Sequence, residues 1–169
     1  MSLTYPTSKR IILCIDTDEA ILRYEKALLE RSGYVVLAAA SAQQGMRLLT
    51  MCRCDAVLLD YDMPAPGGYE IALEIKNVIP DLTVIMISGS EIPLEALALA
   101  DAFVPKLEAS RQLLPMIAEL CTHTSDTRQK KDNLSSAKAD NSLPRPSPRG
   151  FFEYDVSCLR LSQDREEDS

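Results

Sequence analysis

Five short apolar runs, each followed by a stretch of helical periodicity, predict an α/β fold, a doubly wound layer around a five-stranded parallel sheet. Two further observations point the same way. The runs are apolar on consecutive residues rather than alternate ones, as strands buried on both faces must be. Each also ends in a polar or acidic cluster, at the edge where an open parallel sheet carries its ligand crevice. The alternation fills roughly the first 120 residues, enough for one domain with a proper core.

The first run, residues 10–15, ends in Asp16, Thr17, Asp18 and Glu19. Thr17 or Asp18 is placed to cap the helix that follows, whose apolar positions Ile21, Tyr24 and Leu28 recur at helical spacing, with Leu22 and Leu29 beside them. Gly33 stops that helix. Residues 35–39 are the second run; Ser41 and Gln44 then match a capping box, and Met46, Leu48 and Leu49 make the buried face of the second helix. The third run starts at Ala56, and the chain is arranged around it. Asp60 stands where it runs out, a place where a carboxylate is rarely a packing residue. Asp62 repeats the charge two positions on, and Met63, Pro64, Gly67 and Gly68 form a turn that must end extended structure.

Tyr69, Ile71, Ala72, Ile75 and Ile79 mark a third helix, closed by Pro80. Residues 83–87 form the fourth run, leading into Ser88, Gly89 and Ser90. A short helix over about 93–100 follows, then a fifth run at 102–104 that leads to Pro105 and Lys106. Ser110 is placed to cap a last helix reaching about Cys121. Pro115 removes a backbone donor in its second turn, so that helix must begin late or bend.

A hydrophobic fraction of 46% and a charged fraction of 25% are ordinary for a soluble globular chain. No signal-peptide run opens the sequence and no apolar stretch approaches the ~20 residues that span a bilayer, so a cytoplasmic protein without a membrane partner is expected. Net charge is -7, and through residue 124 there are 10 basic against 16 acidic residues, which disfavours a nucleic-acid partner. His123 is the only histidine. Of the five cysteines only Cys52 and Cys54 lie close, without the spacer zinc sites favour, so buried or idle thiols are expected. From Thr124 the periodicity disappears. Residues 123–169 are expected to be a largely disordered polar tail, with a short apolar segment at 151–161 that packs loosely or serves as a linear motif.

The strand ends together supply Asp16 and Asp18, Asp60 and Asp62, Ser88 and Lys106, all on one edge of one sheet. Two carboxylates ~4 Å apart repel by ~4 kcal/mol at an effective dielectric near ~20. Such a pocket needs a cation, a shared proton or a nearby lysine. Magnesium, a hard dication, tolerates a site of few carboxylates and several waters.

An acidic turn after the first strand, Asp60 with Met63 and Pro64, Ser88 with Gly89, and Lys106, in that order, resemble the receiver domain of two-component response regulators over about residues 9–122. The resemblance implies a flavodoxin-like fold and a stand-alone response regulator receiver, since no DNA-binding or enzymatic domain follows. It implies that Asp60 accepts a phosphoryl group from a histidine kinase or phosphotransfer protein and that the signal passes by protein–protein contact in a phosphorelay. The downstream protein stays unnamed and a homodimer stays open. No enzyme is implied, beyond residual self-dephosphorylation. Mg2+ would be held by Asp16, Asp60 and the backbone carbonyl of Asp62, with Asp18 or Thr17 as alternative further ligands. Ser88 would hydrogen-bond the phosphoryl group and Lys106 would pair with its charge. Phe103 stands at the aromatic switch position and would change rotamer as Ser88 moves.

Three departures qualify the pattern. Thr17 replaces an acidic ligand, so magnesium should bind more weakly. Pro105 precedes Lys106 and Leu107 follows it, so the cis bond common after that lysine is not carried over. From Ser88 to Lys106 there are only 18 positions, so the fourth helix should be short. These departures motivate a second reading, a degenerate receiver acting as a phosphorylation-independent interaction module. A third rests on Asp60-Tyr61-Asp62, which resembles the nucleophile motif of haloacid-dehalogenase-type phosphatases, where the second aspartate acts as general acid.

Overall fold

Strands β1 (Ile11–Ile15), β2 (Val35–Ala39), β3 (Ala56–Asp60), β4 (Thr83–Ser88) and β5 (Ala102–Pro105) pair in parallel in the order β2-β1-β3-β4-β5. The computed structural model describes residues 9–121; the tail expected over 123–169, its apolar segment at 151–161 and His123 lie outside them. The order is that of a flavodoxin-like sheet, whose direction of winding reverses between β1 and β3. The register sets Ile15 beside Leu59, so Asp16 and Asp60 follow as neighbours at that switch point. On the other side of β3, Ser88 is in register with Pro105, and Lys106 comes next.

Each strand feeds both faces, which is why its apolar residues are consecutive. Leu13, Ile15, Leu37, Val57, Leu59, Val84 and Met86 face a core closed by helices α2 (Ala42–Met51) and α3 (Gly68–Val78). Ile12, Cys14, Val36, Leu58, Ile85 and Ile87 face a second core, closed by α1 (Glu19–Arg31) and by α5 (residues 109–121) through Leu22, Leu29, Leu113 and Ile117. The helix between β4 and β5 is a single turn, α4 (Leu94–Leu97), as the 18-residue spacing requires.

The local signals behave as their chemistry dictates, with three differences. Asp18 caps α1, and Ser41 caps α2 by accepting from the Gln44 amide at 3.2 Å. Gln44 reaches back to the Ala40 amide at 3.0 Å. Gly33 ends α1 with a φ of +93, a left-handed backbone conformation that strains residues bearing a side chain. The first difference is the phase of α1: Leu22, Glu25 and Leu29 are buried, while Tyr24 is half exposed. The second is in α3, where Ile71, Ala72 and Ile75 are buried and Tyr69 lies on the outer side. Third, a 3-10 turn (Lys106–Glu108) leads straight into α5 at residue 109, so Ser110 lies inside the helix rather than capping it. Pro115 therefore sits in the interior of a helix that begins early. Cys14, Cys54 and Cys121 are free and buried, as expected.

Among the described residues the only cis peptide is Ala65-Pro66; the bond after Lys106 is trans. No helix among them is long and apolar enough to cross a membrane.

Candidate functional site

Asp60 is the last residue of β3 and is 5% exposed; Asp16, next after β1, is 2% exposed. Burying two carboxylates side by side is costly unless a cation meets them. Lys106 is that cation. Its Nζ lies 2.9 Å from Asp60 Oδ1 and 3.7 Å from Asp16 Oδ2, reaching across the sheet edge from the end of β5. Burial alone would lower the Lys106 pKa, but its bond to Asp60 and the charges of Asp60, Asp16 and Asp62 hold it above the ordinary lysine value. Asp16 is pushed up, first by burial and then by the charge of Asp60, against the opposing pull of the Asp18 amide and Lys106. One ammonium does not balance two buried carboxylates.

The turns after the strands fix the rest. The Asp18 amide donates to Asp16 Oδ1 at 2.7 Å, and the Asp62 amide donates to Asp60 Oδ1 at 3.0 Å. Asp60 Oδ1 thus takes both Lys106 and an amide, which leaves Oδ2 without a hydrogen bond among the described residues. Gly68 allows the close packing behind this turn. A Cβ there would stand 2.5 Å from Tyr61 Cα and 2.8 Å from the Asp60 carbonyl oxygen, so α3 can start against the site only without a side chain.

The structure brings Asp16, Asp60 and Lys106 into direct contact and ties Asp62 to Ser88. Ser88, 1% exposed, ends β4 with its Oγ 3.1 Å from each carboxylate oxygen of Asp62. Phe103 is half buried on β5 and lines a cleft of about 450 Å³ with Ser88, Gly89, Ile92 and Pro105. Asp18 is committed elsewhere, since its Oδ1 accepts from the Ala20 amide at 2.8 Å and the Ile21 amide at 3.2 Å. Thr17 is exposed beside it. Among the described residues no group of three or more His, Cys, Asp or Glu side chains is arranged to hold a metal. The donors that do converge, the carboxylates of Asp16 and Asp60, are hard oxygens carrying an excess of negative charge, and those suit a magnesium ion that keeps several waters.

Two groups were not singled out from the sequence. Ser90 donates its hydroxyl to Asp62 Oδ1 at 2.6 Å, a bond between loops that spacing does not reveal. Glu25, buried on α1, has a carboxyl pushed up to about 8, by burial first and then by the charges of Asp16 and Asp60. A glutamate inside an otherwise apolar stripe, in phase with Leu22 and Leu29, was the available signal.

The response regulator receiver domain profile matches residues 12–118, more than half of the chain. Response regulator MprA of Mycobacterium sp. (strain KMS) is 30% identical over 118 residues, which are 68% of this chain and 51% of that protein. Two-component response regulator ARR10 of Arabidopsis thaliana is 35% identical over 91 residues, 53% of this chain and 16% of that protein. The chain thus spans at most about half the length of these curated relatives. Among solved structures, a CheY-like receiver domain from Methanospirillum hungatei JF-1 superposes with a TM-score of 0.66 at 30% identity, covering 71% of this chain and 99% of that one. The response regulator TrrA of Thermotoga maritima, crystallised with Mg2+ and BeF, gives 0.61 at 25% identity, covering 66% and 98%. Fold and relatives agree: this chain belongs to the response regulator receiver domain family of two-component signalling.

Proposed function

We propose that Asp60 is the phosphoacceptor of this receiver, taking a phosphoryl group from the phosphohistidine of a kinase or phosphotransfer protein. The observation that carries this is the pairing of Asp60 Oδ1 with Lys106 at 2.9 Å, which leaves Oδ2 as the attacking atom. In the transfer the P–N bond of phosphohistidine breaks, the imidazole leaves, and a P–O bond forms to Oδ2. Lys106, already charged and in place, meets negative charge as it develops on the phosphoryl oxygens. Ser88 offers its hydroxyl to the same group, and its displacement draws on Phe103 across the shared cleft. Asp16, Asp60 and the Asp62 carbonyl would hold magnesium, which when bound supplies further positive charge to the phosphoryl oxygens. A magnesium-dependent small-molecule phosphodonor is expected to label the wild type and leave Asp60→Asn unlabelled; equal labelling of both would sink the proposal.

Thr17 and the capping role of Asp18 favour one other reading, a receiver that binds its partner whatever its phosphorylation state. Tight magnesium binding that depends on Asp60 would count against it. The Asp60-Tyr61-Asp62 motif gives no support to phosphatase chemistry, because the Asp62 carboxylate is bonded to Ser88 and Ser90 rather than poised as a general acid.

A further inference from the structure

The phosphoacceptor role uses the backbone of Asp62 and leaves its carboxylate unexplained. That carboxylate gathers three donors from the end of β4. The Ser90 hydroxyl donates to Oδ1 at 2.6 Å, the Gly89 amide donates to Oδ2 at 2.7 Å, and Ser88 Oγ lies 3.1 Å from both oxygens. Ser88 Oγ is also 3.0 Å from the Ser90 carbonyl and accepts from the Ser90 amide at 2.9 Å. A serine hydroxyl has one proton to give, and an ionised carboxylate is a stronger acceptor than a carbonyl. The Ser88 proton therefore points at Asp62.

We propose that the Asp62 carboxylate is a latch on the loop between β4 and α4. It holds the Ser88 hydroxyl, the Gly89 amide and the Ser90 hydroxyl in the unphosphorylated chain, and they turn to Asp60 only when it lets go. The inference rests on the reading of Asp60 as phosphoacceptor. A phosphoryl group there is a dianion with three acceptor oxygens, so it competes for the same donors and repels Asp62. Asp62 can leave cheaply. Its side chain is exposed and rotates into water, while its amide stays on Asp60 Oδ1 and keeps the backbone still. The latch lowers the resting population of the released loop without touching the phosphoryl group, so Asp62 is a positioning residue.

The test follows the Gly89 and Ser90 amide signals of the 15N-labelled full chain, with and without magnesium and beryllium fluoride, alongside the rate of labelling by acetyl phosphate. Asp62→Ala is expected to move both signals of the unphosphorylated protein toward their positions in the beryllium fluoride-treated wild type. It is expected to speed labelling by about tenfold or more, since losing even one of the three hydrogen bonds to this charged group is worth about that much. Ser90→Ala keeps the Asp62 charge and removes one donor, so it should move the signals the same way and speed labelling less; it carries the test should Asp62→Ala not fold. Unmoved signals in the folded variant would overturn the latch while labelled wild type leaves the phosphoacceptor standing. If Asp62→Asn labels as fast as Asp62→Ala and Ser90→Ala behaves as wild type, the effect is charge repulsion and the latch is wrong. A wild type that shows no Asp60-dependent labelling overturns both readings.

Discussion

Glu25 is the residue whose surroundings suit its chemistry least. Its carboxyl is 4% exposed and pushed from 4.5 to about 8, by burial first and by Asp16 and Asp60 next, with Lys106 opposing. Between those two values the folded chain keeps a proton that the unfolded chain has released. Stability is then fully present below the unfolded value and is lost as pH rises through the folded one, by at most about 1.4 kcal/mol per pH unit. Glu25→Gln keeps the shape and removes the proton linkage. Its urea midpoint is expected to vary less than that of wild type between pH 5 and 8, with the variant the more stable at pH 8; parallel profiles would show that Glu25 does not titrate there. Asp16, Asp60, Ser88 and Lys106 were legible because an apolar run has a visible end and each stands at one. Glu25 was hidden because periodicity sorts residues by class, and a glutamate is placed outside by class. The bonds of Asp62 to Gly89 and Ser90 were hidden for another reason, since they join two loops whose conformations set which side chains meet.

At the scale of elements, the five strands were legible because a strand buried on both faces has almost no polar residue inside it. Helix faces were less legible. Tyr24 and Tyr69 scored as apolar, yet an aromatic ring with a hydroxyl can sit at a rim with its polar end in water. The start of α5 was misplaced because Ser110 looked like a cap, whereas the turn after Lys106 already carries the chain into helix. Pro115 then falls in the interior, where it removes the bond to the Arg111 carbonyl. Leu113 and Ile117, both 0% exposed, hold the helix against the sheet and outweigh that loss. Because Pro115 itself is exposed, Pro115→Ala sacrifices no core packing. It is expected to stabilise the domain by about 1–3 kcal/mol in denaturant unfolding, the range between a recovered bond and the full interior cost of proline. A destabilised variant would mean that α5 is shaped around the proline.

Across the whole molecule, parallel winding sends every strand's carboxyl end to one edge, and that edge collects Asp16, Asp60, Asp62 and Lys106. The chain carries a net charge of -7, so its field adds to the local excess at this edge instead of relieving it. A dication is the species that profits most, and its binding should appear as stability of the folded state. Magnesium at 100 times its dissociation constant contributes about 2.7 kcal/mol. For a domain of this size that raises the thermal midpoint by roughly 10 °C. Thr17 brings a neutral hydroxyl to this edge where an aspartate would add charge, so the effect is expected in the millimolar range, and Thr17→Asp is expected to shift it lower. Potassium chloride at matched ionic strength separates binding from screening, since screening does not distinguish the two salts. Asp16→Asn and Asp60→Asn each remove one carboxylate and are expected to abolish the magnesium increment while relieving the repulsion that makes the apo pocket costly. They should therefore be no less stable than wild type without magnesium, and less stable with it. A wild type whose midpoint rises equally in both salts, or Asp variants that keep the increment, would show that this edge does not hold the ion.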